Sequence, residues 1–146
     1  MNKRAQRVLE YDKILNIVSE MAMSEDAKKI VTGLLPSKDF DTVEYMQSQT
    51  AQAASMLAMH GAAPISPIKN IVPALKRTMR GGSMSMAELL QTAAVLRVSR
   101  RVATYISKTE KLPLLTQMAS SITILKSLEQ RITDAIISET EVADNA

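Results

Sequence analysis

Between Gly82 and Pro113 the chain runs without a single glycine or proline, and that continuity dictates one long helix from Ser85 to about Lys108. Ser85, followed three residues later by Glu88, forms a capping-box pattern in which each partner meets an orphan amide of the first turn. At about 100° per residue, Arg97, Arg100, Arg101, Thr104 and Lys108 fall on one narrow stripe. The rest of the wheel is largely apolar: Leu89, Leu90, Ala93, Ala94, Leu96, Val98, Val102, Tyr105 and Ile106. Such a helix demands neighbours on several sides.

The remaining segments read as those neighbours. Asn2 to Ala22 is helical with a break near Glu10 to Asp12; Asp12 is the expected N-cap, and Tyr11, Ile14, Leu15, Val18, Met21 and Ala22 share a face. Ser24 caps a short helix whose buried side is Ile30, Val31, Leu34 and Leu35, ended by Pro36. Asp39 or Asp41 starts a longer helix that reaches His60 and closes at Gly61. In it Val43, Met46, Thr50, Ala53 and Leu57 form a heptad-like seam. The small Ala51, Ala53, Ala54 and Ala58 favour tight antiparallel packing inside the domain over an intermolecular coiled coil. Pro73 fits the first turn of a short helix that stops at Gly81. Pro113 opens another to about Ser121, and a last one spans about Leu125 to Ile137. Ser138 to Ala146 is polar and acidic without apolar periodicity, so the natural chain is expected to continue.

Four glycines and five prolines in 146 residues are too few turn formers for a multi-stranded β protein. Ten methionines stand in for nearly absent aromatics and suit helix–helix contacts. The expected class is all-α, one domain over residues 1–146, with about seven or eight helices bundled around the long one.

Several chemistries are excluded. The chain has no cysteine, so neither disulfides nor thiolate metal sites arise. His60 is the single histidine, which removes a zinc ligand set and a His-assisted serine nucleophile; it reads as a polar residue near a helix end. Gly81-Gly82 is followed by Ser-Met-Ser-Met rather than Gly-Lys-Ser/Thr, so no phosphate-cradling loop forms. Asp39, Asp41 and Glu44 sit at a helix start and read as caps. No catalytic, cofactor-binding or metal-binding residue is assigned. No uncharged run approaches the roughly 20 residues that span a bilayer, and no signal-peptide core follows Met1-Asn2-Lys3-Arg4; a soluble, cytoplasmic chain without a membrane partner is expected.

Charge is unevenly distributed. Residues 1–68 balance at −1, residues 69–111 at +7 and residues 112–146 at −3. The basic middle holds two clusters, Lys76, Arg77 and Arg80 before the glycine pair, and Arg97, Arg100, Arg101 and Lys108 on the long helix. These seven are the candidate nucleic-acid contacts, and they would hold backbone phosphate in a salt-sensitive, sequence-indifferent way. Equally, arginines in such a stripe can face solvent or pair with carboxylates of another segment. With few aromatics interleaved, stacking on single-stranded bases is not expected.

Several segments resemble one family. Leu9-Glu-Tyr-Asp-Lys-Ile-Leu15 is similar to the opening motif of the second branch of the MutS family, the bacterial MutS-related proteins with a C-terminal Smr nuclease domain. Ile71-Val-Pro-Ala-Leu-Lys-Arg77, then Gly81-Gly82, then Ser85-Met-Ala-Glu-Leu-Leu90 resembles its next hallmark. The helix bearing Arg97, Arg100 and Arg101 stands where that family has a basic helix, and Glu141-Val-Ala-Asp144 is similar to a segment from which its members run onward. The resemblance covers roughly residues 8 to 144.

It implies that the chain is the start of the core and lever region of a longer, dimeric ATPase and endonuclease, a hydrolase that lacks mismatch-reading and connector domains. ATP and magnesium would belong to an ATPase domain outside this chain, as would the nuclease. The implied role is mechanical, coupling nucleotide state to a clamp on nucleic acid. The implied targets are branched, mismatched or recombination-intermediate DNA, in suppressing recombination, or ribosomal RNA, in rescuing stalled ribosomes. The implied partners are the remainder of the parent chain and a second copy; an isolated fragment would dimerise through an apolar helical face. A reading from another class is a self-contained helical adaptor or dimerisation module that meets protein alone.

Overall fold

The computed structural model describes residues 3–109 and 111–143; expectations that touch Met1, Asn2, Glu110 and Asp144 to Ala146 lie outside them. Within the described residues the chain is all-α, with eight helices. They are α1 (Lys3–Val8), α2 (Tyr11–Glu20), α3 (Glu25–Thr32), α4 (Phe40–His60), α5 (Val72–Thr78), α6 (Met86–Ile106), α7 (Pro113–Ser120) and α8 (Lys126–Ala135).

Local chemistry sets most of the boundaries. The Ser24 hydroxyl accepts from the Ala27 amide at 3.2 Å, and the Asp39 carboxylate accepts from Thr42 at 3.0 Å. Gly61 closes α4 at φ 74°, a left-handed conformation that a side chain resists. Ser85 and Glu88 complete both halves of the capping box, at 3.3 and 2.9 Å.

Three boundaries differ from expectation. The break before α2 falls at Glu10, which is itself left-handed at φ 52° and caps nothing with its side chain; Asp12 lies in the first turn instead. Helix α3 stops at Thr32 with Gly33 as its C-cap, so Pro36 follows an end already made. Helix α8 stops at Ala135, and the polar tail turns back on it. Ile136 bridges Val142, and the Ala143 amide donates to the Ala135 carbonyl at 2.9 Å.

The long helix α6 lies along α8 and, near its C-terminal end, against α7; α7 in turn meets α4. Two small cores result. Met56, Tyr105 and Leu112 are buried where α4, α6 and the start of α7 converge. Ala93, Ile132 and Ile136 are buried between α6 and α8, under Met86, Leu89 and Leu90. Helix α7 carries no cap of its own at Leu112; the Gln52 side chain of α4 supplies one, accepting from the Leu114 and Leu115 amides at 2.9 and 3.3 Å.

Helices α1 to α3 pack on one another, α2 against both neighbours. Their expected buried faces stay largely open: Ile14, Val18, Met21, Ile30 and Leu35 are exposed. The α4 seam is open too. Met46 and Leu57 are exposed, as are Ala51, Ala54 and Ala58, so the alanines do not mediate tight packing within this chain. Its main helical partner, α7, is too short to cover a helix of 21 residues, α6 reaches it through Tyr105, and Met56 is its one fully buried residue.

Candidate nucleic-acid interface

The arginine stripe lies on α6 because the capping box fixes where that helix starts and nothing interrupts it before Ser107. Its members diverge in what they touch. Arg97 and Arg100 lean toward α8 and converge on one carboxylate. Arg97 Nε donates to Glu129 Oε1 at 3.2 Å, Arg100 Nε to Oε2 at 2.9 Å, and Arg100 Nη2 to Oε1 at 3.0 Å. The Arg100 contact is bidentate, the strongest form of this pairing. Glu129 is buried, its side chain 9% exposed, whereas those of Arg97 and Arg100 remain 43% and 33% exposed.

The Arg100 hydrogen bonds, outweighing the cost of burial and aided by Arg97, hold the Glu129 carboxyl below its ordinary value. Reciprocally, Glu129 raises the Arg100 pKa. The pairing also relieves the like-charge crowding of Arg97 and Arg101 by turning one of them toward α8.

Arg101 and Lys108 stay on the exposed side. The Lys108 ammonium lies 5.2 Å from the centre of the Tyr105 ring, within cation–π range. Beneath it the Tyr105 hydroxyl donates to the Gly61 carbonyl at 2.5 Å, with the Met56 carbonyl at 3.2 Å. His60 meets the same ring edge-on, centroids 6.4 Å apart, so the single histidine ends in aromatic packing at the α4 terminus.

The second basic cluster is a separate feature. Lys76 and Arg80 are exposed, but Arg77 reaches back across the glycine pair. Its Nη2 donates to Glu88 Oε2 at 2.5 Å and to the Ser83 carbonyl at 3.0 Å. Glu88 is also the capping-box acid, and the Arg77 hydrogen bond, with the Ser85 amide, lowers its pKa. Glu88 precedes Arg97 by nine residues, about two and a half turns and roughly 14 Å along the axis. Arg77 is therefore tied to the face of α6 opposite the stripe. The seven basic residues do not form one patch.

Glu129 is the residue that sequence reading missed as an individual. A signal was present. Glu129, Ile132 and Ile136 follow the i, i+3, i+7 register of a core-facing stripe, and the acid stands where an apolar side chain is expected. A carboxylate in a core register demands a cation opposite, and α6 carries it.

Among the described residues no group of three or more His, Asp or Glu could hold a metal ion, and no helix is long and apolar enough to cross a membrane. The fold and its pairings define an all-helical scaffold in which one long helix is tied to its neighbours by arginine–carboxylate contacts.

No protein-family model and no solved structure matches the chain. Curated relatives do match it. Endonuclease MutS2 of Ruminiclostridium cellulolyticum is 38% identical over 151 residues, that of Acetivibrio thermocellus 34% over 150, and that of Clostridioides difficile 33% over 150. In each case the match takes in 100% of this chain and 19% of the relative. The chain is thus related along its entire length to the MutS2 endonucleases, and it spans about a fifth of their length.

Proposed function

We propose that this chain is the non-catalytic core and lever region at the start of a MutS-related DNA-processing ATPase and endonuclease. The observation that carries the reading is the match itself: whole-length similarity to proteins named as endonucleases, of which the chain spans only 19%. In this reading the rest of the parent holds the ATPase with its ATP and magnesium, the nuclease and the clamp, and it works as a homodimer in the bacterial cytoplasm. The α6 helix transmits nucleotide state to the clamp, since packed helices move as rigid bodies. The open apolar faces of α2, α3 and α4 suit contact with the remainder of the parent or a second copy.

The nucleic-acid part of the reading rests on the exposed side of the stripe. Arg101 and Lys108 touch no carboxylate among the described residues, and Arg97 and Arg100 stay partly exposed beside them. Branched DNA is the proposed target. The test is fluorescence anisotropy of a labelled four-way DNA junction titrated with this chain at two salt concentrations, beside a duplex of equal length. Salt-sensitive binding, tighter for the junction, and its loss in Arg101→Glu with Lys108→Glu, supports the reading. Arg97 is a poorer probe, because a glutamate there would face Glu129. Absence of binding at low salt leaves α6 a lever whose contacts are all with protein.

A further inference from the structure

We infer that Glu129 is a positioning residue of a phosphate-binding face, holding Arg97 and Arg100 so that their unused donors point to solvent as a fixed fork. This rests on the nucleic-acid reading above and deepens it. An arginine has five N–H donors. Arg97 spends Nε on Glu129, and Arg100 spends Nε and Nη2; their other guanidinium nitrogens donate to nothing among the described residues. The carboxylate lies underneath, buried, while the Arg97 and Arg100 side chains are 43% and 33% exposed. An anion can therefore approach the outer edges without displacing Glu129. One carboxylate against two guanidiniums leaves a single positive charge at the pair, and exposed Arg101 adds to it. A phosphodiester fits this arrangement, because guanidinium edges match paired oxyanions. Long arginine side chains left unheld would have to be ordered by the ligand, at a cost in affinity.

The opposite view is that Glu129 competes with phosphate and masks the arginines. The two views differ in sign. Glu129→Gln raises the net charge by one, which by charge alone tightens DNA binding. If Glu129 aims the arginines, binding weakens in spite of the added charge.

The experiment is anisotropy of the labelled junction with wild type, Glu129→Gln and Glu129→Asp across a salt series, with helicity followed by circular dichroism. Glu129→Asp keeps the charge and withdraws the carboxylate by one methylene, so it decides the matter if Glu129→Gln loses its fold. The expected result is about fivefold weaker binding in each variant, the fold-change of roughly one hydrogen bond. The slope of log affinity against log salt should also fall by about one phosphate contact. Affinity equal to or above wild type in a folded variant overturns the inference, and leaves the nucleic-acid reading standing if Arg101→Glu with Lys108→Glu still abolishes binding. A wild-type chain that binds no junction overturns both.

Discussion

Arg100 and Glu129 meet edge to edge across the α6–α8 contact, through two parallel hydrogen bonds of 2.9 and 3.0 Å. On the same helix pair lies the core of Ala93, Ile132 and Ile136. The pair therefore adds a polar tie to an α6–α8 contact that is otherwise apolar. Glu129→Ala should lower stability by about 1.5 kcal/mol, the lower end of the scale of hydrogen bonds to a charged group, since both arginines stay partly solvated. Urea denaturation followed by circular dichroism measures it, and an unchanged midpoint would show that the apolar contacts hold α8 unaided.

The same pair sets a pH dependence. The folded-state pKa of Glu129 is lowered from its ordinary 4.5, with the Arg100 hydrogen bonds as the main cause. A depressed carboxyl contributes stability that is fully present above the unfolded value and is lost as pH falls through the folded one. The stability gap between wild type and Glu129→Gln should thus be constant near neutrality, shrink below about pH 4.5, and vanish in stronger acid. A gap that persists at pH 2 would assign it to packing rather than ionisation.

Met56 and Leu57 are adjacent on α4 but differ sharply, Met56 being 2% exposed and Leu57 49%. Met56→Ala should cost about 2–5 kcal/mol by leaving a cavity against Tyr105 and Leu112. Leu57→Ala should change stability by less than about 1 kcal/mol. Equal losses would mean that the open α4 seam is covered in solution by another copy, which light scattering would reveal.

Gly82 faces Arg77 closely: a Cβ built there would lie 2.8 Å from Arg77 Cγ and 3.1 Å from its carbonyl oxygen. Gly82→Ala should push Arg77 away from Glu88 and lower the melting temperature, whereas Lys76→Ala, on an exposed neighbour, should not. A melting temperature unchanged in Gly82→Ala would show that the Arg77 tie contributes little.

Helix ends were the most legible part of the chain, because their chemistry is local. Ser24, Asp39, Gly61 and the Ser85–Glu88 box stand in the roles their residue types imply. Burial was the least legible. Ile14, Ile30 and Leu57 lie on periodic apolar faces, yet periodicity says which side of a helix is apolar and not whether anything covers it. Within the candidate site, the spacing put Arg97, Arg100, Arg101 and Lys108 on one stripe; the three arginines do lie on α6 together, whereas the helix stops at Ile106 and Lys108 follows in the turn beyond it. The partition of that stripe depends on where α8 lies, a tertiary fact. Arg77 ends on the face opposite the stripe because the nine residues from Glu88 to Arg97 amount to a half-integral number of helical turns.

Helix α7 borrows its cap from a side chain 62 residues earlier. At eight residues it is well below the length at which a helix holds in water alone. Its formation must therefore wait for a loop of that size to close, which costs entropy before any contact is made. In kinetic terms α7 is expected to form on the downhill side of the folding barrier. Gln52→Ala should speed unfolding and leave the refolding rate nearly untouched, so this short helix would govern how long the packed chain lasts rather than how fast it forms.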